Sequence, residues 1–185
     1  MPDIVRTEIA LSKSKLTKLL LFCILFLGAG LWMLIAQPQT SNVVFNSPVV
    51  RNGAGILGVV MGLFGIYFFS KKLLDRQPGL IIDEDGLTDN TSAFTFGHIP
   101  WADVSEVCER VVQASAASKQ RFVTIRLKDP APYILREPNA MKRKLLQLNA
   151  KNYGSPVHVS ANNLQIKHAD LLALITTAFK HWRER

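Results

Sequence analysis

The chain has 185 residues, 48% of them hydrophobic, with a formal net charge of +8 and a pI near 9.7. That is too apolar for a disordered polyelectrolyte and too short for several globular domains beside a membrane part. Its two cysteines, Cys23 and Cys108, fall in regions of different character, so no disulfide framework is expected and a reducing compartment fits. The apolar residues pile up before position 75, after which the composition is that of an ordinary globular domain.

Residues 1–18 read as a polar cytosolic leader carrying Arg6, Lys13, Lys15 and Lys18. Residues 19–37 follow with no charge, long enough for a first transmembrane helix. A secretory signal peptide is the alternative. It is disfavoured because the apolar run exceeds the usual ~7–15 residues and Leu34-Ile35-Ala36 is no A-x-A cleavage site. Residues 38–53 are a polar connection with Pro38, Pro48 and a single charge, Arg51. Residues 54–74 give a second span. Its Gly55, Gly58, Gly62 and Gly65 are spaced by three, four and three, which sets all four on one helical face. In water each interior Gly costs roughly 0.5–1 kcal/mol against Ala. In a bilayer the same row lets a second backbone approach closely. The row is expected to pack on the first span near Gly28 and Gly30, with a homodimer face as the rival. Trp32 and Tyr67 sit where interfacial aromatic belts sit.

Lys13, Lys15 and Lys18 flank one outer end of this hairpin, and Lys71, Lys72 and Arg76 the other. The excess of basic residues over the single Arg51 places both termini in the cytoplasm and residues 38–53 in the periplasm. Residues 75–79 form a linker, and 80–185 the cytosolic domain. Leu80-Ile81-Ile82, then Asp85-Gly86 and Leu87-Thr88, read as strand, tight turn and strand. A short strand is expected at Ala93 to Phe96, a β-branched segment from Val104 to Val112, and a loop over Gln113 to Lys119. Val123, Ile125 and Leu127 alternate with Thr124 and Arg126, as a half-buried antiparallel strand does. The three prolines between Asp129 and Pro138 predict a loop or edge segment. A short helix is expected from Met141 to Lys151, a last strand from Val157 to Ser160, and an amphipathic helix from about His168 to Trp182. The stripe of that helix is Leu171, Leu174, Ile175, Ala178, Phe179 and Trp182.

The stretch Leu80-Ile81-Ile82, Gly86-Leu87 and then Gly97-His98-Ile99-Pro100-Trp101-Ala102-Asp103-Val104 resembles bacterial pleckstrin-homology-like domains. The closing strand and C-terminal helix extend the resemblance over residues 80–185. It implies small bacterial inner-membrane proteins in which two spans carry a cytosolic domain, an antiparallel sheet or barrel closed by a C-terminal helix. It implies a binding role for lipid, peptide or protein and brings no catalytic residue. Residues 129–151 read as an insertion into that pattern.

Trp101 and Asp103 are expected to be structural, the tryptophan as an anchor and the aspartate as a partner of nearby backbone amides. Asp83, Asp85 and Asp89 lack the spacing and the flanking helices of a calcium loop. His98, His158, His168 and His181 show no zinc spacing, and no nucleophile elbow or phosphate loop is present. Neither catalytic residue, metal nor cofactor is expected. Lys142, Arg143 and Lys144 are the candidate binding residues. On a helix they flank Met141, Leu145 and Leu148, the pattern of a basic segment lying on an anionic bilayer. The expectation is a non-enzymatic inner-membrane protein whose domain binds anionic headgroups or a protein partner, and not nucleic acid. The alternative is a membrane-resident interaction protein (an assembly factor, complex subunit or toxin-immunity protein) recognised through its spans or periplasmic loop, as a homodimer or with another chain.

Overall fold

The computed structural model describes residues 6–39, 41–92, 94, 96–115 and 118–185. It divides into two compact units, one spanning Ser12–Arg76 and one joining the segment up to Leu11 with Gln77–Arg185.

The first unit is a helical hairpin. Helix α1, Lys13–Ala36, begins where the Ser12 side chain accepts a hydrogen bond from the Lys15 amide at 3.4 Å. It stops at Gln37, whose φ of 45° is left-handed, immediately before Pro38. One short turn, α2 (Val43–Asn46), precedes α3, Pro48–Leu74, which has proline in its first turn and Lys71 and Lys72 in its last. The polar connection is therefore shorter than expected, because Pro48–Gly53 already belong to α3. A proline at the first helical position loses no hydrogen bond that the helix would have made.

The second unit is α+β. Strands β1 (Thr7–Ile9), β2 (Leu80–Ile82), β3 (Gly86–Asp89) and β4 (His98–Pro100) form one antiparallel sheet in that order. Strands β5 (Val104–Ser115), β6 (Ser118–Leu127) and β7 (Val157–Val159) form a second. Among the described residues the sheets do not close into a barrel, so of the two expected forms the open antiparallel sheet is the one found. Residues 7–9 of the leader form β1, an edge strand of this unit. Thr7, Glu8 and Ile9 pair with Ile82, Ile81 and Leu80, and the Ala10 carbonyl accepts a hydrogen bond from the Gln165 amide at 3.0 Å. Pairing buries Ile9 and Leu11, and this overrides the polar composition around them.

Of the loop expected over Gln113 to Lys119, residues 113–115 belong to β5 and 118–119 to β6, whereas Ala116 and Ala117 lie outside the described residues. The strand expected at Ala93 to Phe96 includes Ala93 and Thr95, which lie outside the described residues. The proline-rich segment carries a short helix, α4 (Ala131–Leu135), ahead of α5 (Ala140–Tyr153). Helix α5 is capped by the Asn139 side chain and ends at Gly154, where φ is 76°. The closing helix α6, His168–Arg183, buries Leu171, Ile175, Ala178 and Phe179 against β5 and β6, as its stripe predicts. No side chain caps its start. One core cluster draws on both sheets and α6, each fully buried Leu or Ile contributing about 1.5–3 kcal/mol.

Candidate functional site

Trp101 is fully buried. Its indole N–H donates to the Asp83 carbonyl at 3.1 Å, and its amide donates to the Asp85 carbonyl at 2.8 Å. Its ring lies 5.8 Å from that of Phe179. The tryptophan thus ties the β2–β3 turn to α6. Asp83 shapes that turn through its carboxylate, which accepts hydrogen bonds from the amides of Asp85 and Gly86. Gly86 has no positive φ. It is glycine because a Cβ there would run into the Ile99 carbonyl across the sheet. The expected role of Asp103 needs correction: its carboxylate accepts from the Tyr133 hydroxyl on α4 rather than from backbone amides. Burial pushes the Tyr133 phenol up to about 12, with Asp103 adding to the shift and Arg136 opposing it.

The glycine row lies inside the hairpin. Gly55, Gly58, Gly62 and Gly65 are all buried. A Cβ on Gly62 would stand 2.8 Å from the Leu27 Cβ, and one on Gly65 would overlap the Cys23 sulfur. On α1 the facing residue is Gly30, where a Cβ would meet the Val59 nitrogen at 2.8 Å and the Gly55 oxygen at 2.9 Å. Gly28, expected beside it, has open space around it. These pairings run in opposite directions along the two helices, so the hairpin is antiparallel.

Helix α5 turns one face to the protein and one away. Leu146 is buried at 1% exposure, whereas Met141, Leu145 and Leu148 are 76%, 46% and 44% exposed. At about 100° per residue these three fall within one outward arc. Lys144 and Lys151 border the arc and make no ion pair among the described residues. Lys142 is exposed farther round the helix. The Arg143 guanidinium donates to the carbonyls of Glu137 (3.1 Å) and Pro138 (3.3 Å) and so also braces the preceding loop. Two cations of β6 are paired with β5 carboxylates: Arg126 with Glu106 at 2.7 Å and Arg121 with Glu109 at 3.9 Å.

A feature that sequence reasoning missed lies behind α5. A cavity of about 260 Å³ is walled by the rings of Phe94, Phe96, Phe122, Tyr153 and His158, together with Arg110. His158 stands edge-on to Tyr153 (5.7 Å, 87°) and to Phe122 (6.2 Å, 65°). Its Nδ1 lies 2.9 Å from the buried Thr124 hydroxyl, and its Nε2 has no hydrogen-bond partner among the described residues. Burial pushes the His158 imidazole below its ordinary value. The Arg110 charge acts in the same direction and the Ser155 backbone against it. The remaining histidines are separate: His98 meets Thr88, and His168 meets Glu109 at 2.9 Å. Among the described residues no three His, Cys, Asp or Glu side chains are grouped to hold a metal ion. No known protein family matches the chain, nor does any curated protein or solved structure.

Proposed function

We propose that the protein is a membrane-anchored binding protein without enzymatic activity. In this reading α1 and α3 cross a bacterial inner membrane, and the α+β unit lies on the cytosolic side. There the outward face of α5 binds anionic headgroups. The observation that carries the proposal is that face: three exposed apolar side chains bordered by lysines on a helix with no acidic residue. An amphipathic helix of this kind lowers its free energy by sinking the apolar arc into the headgroup boundary while its cations meet anionic lipid.

Three further observations support the anchor. Both helices are long and apolar enough to cross a bilayer, yet only 6% and 17% of their apolar windows are buried. A core helix of a water-soluble protein would bury that surface. The close packing of α1 on α3 through Gly30 argues for a retained first helix rather than a cleaved signal. The pairing of β1 with β2 ties together the chain entering the hairpin and the chain leaving it, so both ends of the hairpin share one side of any bilayer that it crosses. The basic flanks make that side the cytosol. Two antiparallel sheets with a C-terminal helix laid against them support the pleckstrin-homology-like reading. The glycine row is used up within the hairpin, which disfavours a partner recognised through that row.

The test uses the full chain, because a fragment starting at Gln77 would strip β1 from the sheet edge. An environment-sensitive dye is attached at Leu148→Cys, with Cys23→Ala and Cys108→Ser, in neutral and in anionic vesicles. The dye emission is expected to shift to the blue only with anionic lipid. High salt is expected to reverse the shift, because the Debye length falls to about 3 Å at 1 M. Replacing Lys142, Lys144 and Lys151 by Ala removes roughly 1 kcal/mol each and is expected to abolish it. Equal emission in the two lipids would overturn the proposal and leave the face to a protein partner.

A further inference from the structure

We infer that the cavity behind α5 is a binding site for a small aromatic carboxylate, held by Arg110 and His158 between the surrounding rings. This is independent of membrane docking, since none of Met141, Leu145 and Leu148 lines the cavity. The volume of about 260 Å³ is room for roughly nine waters at ~30 Å³ each. A compact one- or two-ring body fits such a space better than an extended acyl chain. The walls are chiefly ring faces and edges, which favour an offset or edge-on aromatic guest.

Two polar groups give that guest a head. The Arg110 guanidinium lies 5.7 Å from the Tyr153 ring centroid and joins no ion pair among the described residues. It is a planar donor suited to a carboxylate. The Nε2 nitrogen of His158 is shielded from water and unpartnered, a state that native structures leave to few groups. The Thr124 hydroxyl is fully buried and lies 2.9 Å from Nδ1. A bound carboxylate would select the neutral tautomer protonated on Nε2, with the Thr124 hydroxyl donating to Nδ1, and so gain a second donor. A carboxylate satisfies both groups, whereas an uncharged amide gives Arg110 no charge to meet.

Calorimetric titration of the full chain in nanodiscs, with empty nanodiscs as the blank, tests this with naphthoate, naphthamide and octanoate. Naphthoate is expected to saturate one site and to bind at least tenfold more tightly than naphthamide or octanoate. Arg110→Gln is expected to weaken naphthoate about tenfold to a hundredfold without changing naphthamide. His158→Phe, which keeps a ring in the wall, is expected to weaken naphthoate severalfold. An unchanged thermal midpoint for each variant establishes that the fold is intact. Naphthoate and naphthamide binding alike, octanoate binding best, or no saturable binding above the blank would each overturn the inference.

Discussion

Two glycines of α1, two residues apart, are expected to respond to the same substitution in opposite ways. At Gly30 a Cβ would stand 2.8 Å, 2.9 Å and 3.1 Å from three backbone atoms of α3. Carbon reaches its best separation from such atoms at about 3.5–4.0 Å, so Gly30→Ala asks the helices to part by roughly 0.5–1 Å. Backbone cannot swing aside as a side-chain tip can. A gap of that size forfeits a quarter to a half of each contact across the glycine row, and overpacking of this kind costs about 1–3 kcal/mol. At Gly28 nothing lies within 4 Å. Ala is the better helix former there by roughly 0.5–1 kcal/mol, so Gly28→Ala is neutral or stabilising. The reporter is Cys23, whose sulfur is covered by the Gly65 position. With Cys108 replaced by Ser, maleimide labelling of Cys23 in mixed micelles measures how often the hairpin opens. At tenfold per 1.4 kcal/mol, Gly30→Ala is expected to speed labelling about 5- to 100-fold, and Gly28→Ala to slow it or leave it unchanged. Equal rates for the two variants would refute the close-approach reasoning.

Leu146→Ala is expected to cost the α+β unit about 2–5 kcal/mol, whereas Leu145→Ala on the outward face stays within about 0.5 kcal/mol; thermal unfolding compares them. Ile9, 7% exposed, predicts a loss of similar size for Ile9→Ala and almost none for the exposed Glu8→Ala, read by the same assay. The raised Tyr133 value has a definite sign. Below pH 10 the phenol is neutral in folded and unfolded chains alike. Between pH 10 and about 12 only the unfolded chain ionises it, so stability falls as pH rises through that window. An ultraviolet titration should show a late phenol ionisation that Tyr133→Phe removes.

Much of this architecture was legible because its signals are local. The uncharged runs give the hairpin helices, and the spacing of Leu171, Ile175, Ala178 and Phe179 gives the buried stripe of α6. The β6 alternation was legible only in part: Val123 and Ile125 are buried as their period requires, but Thr124 on the expected polar face is fully buried too, against His158. β1 escaped because three residues with one buried apolar side chain hold too little period to be seen, and their partner lies about seventy positions on. Helix α4 was hidden by its prolines, which sit in a first turn where they are tolerated. On α5 the stripe of Met141, Leu145 and Leu148 is exposed, and which apolar side chain anchors the helix was not legible: it is the neighbouring Leu146 that packs inward. The cavity was out of reach, because Arg110, Phe122, Tyr153 and His158 come from four separate elements that converge only once the second sheet and α5 have formed.

The strand ahead of the hairpin also fixes an order of events during synthesis. β1 leaves the ribosome first, but its partner β2 begins 71 residues after Ile9. At 5–20 residues per second the nascent edge waits roughly 4–14 s, while both apolar helices are made and find their environment. Only a chain whose hairpin has turned back on itself returns Leu80 to the side where Ile9 is held. On the proposed membrane reading, completion of the sheet therefore reports that the hairpin has turned back, and a chain that inserts one helix and not the other leaves Ile9 bare and the β2 edge unpaired.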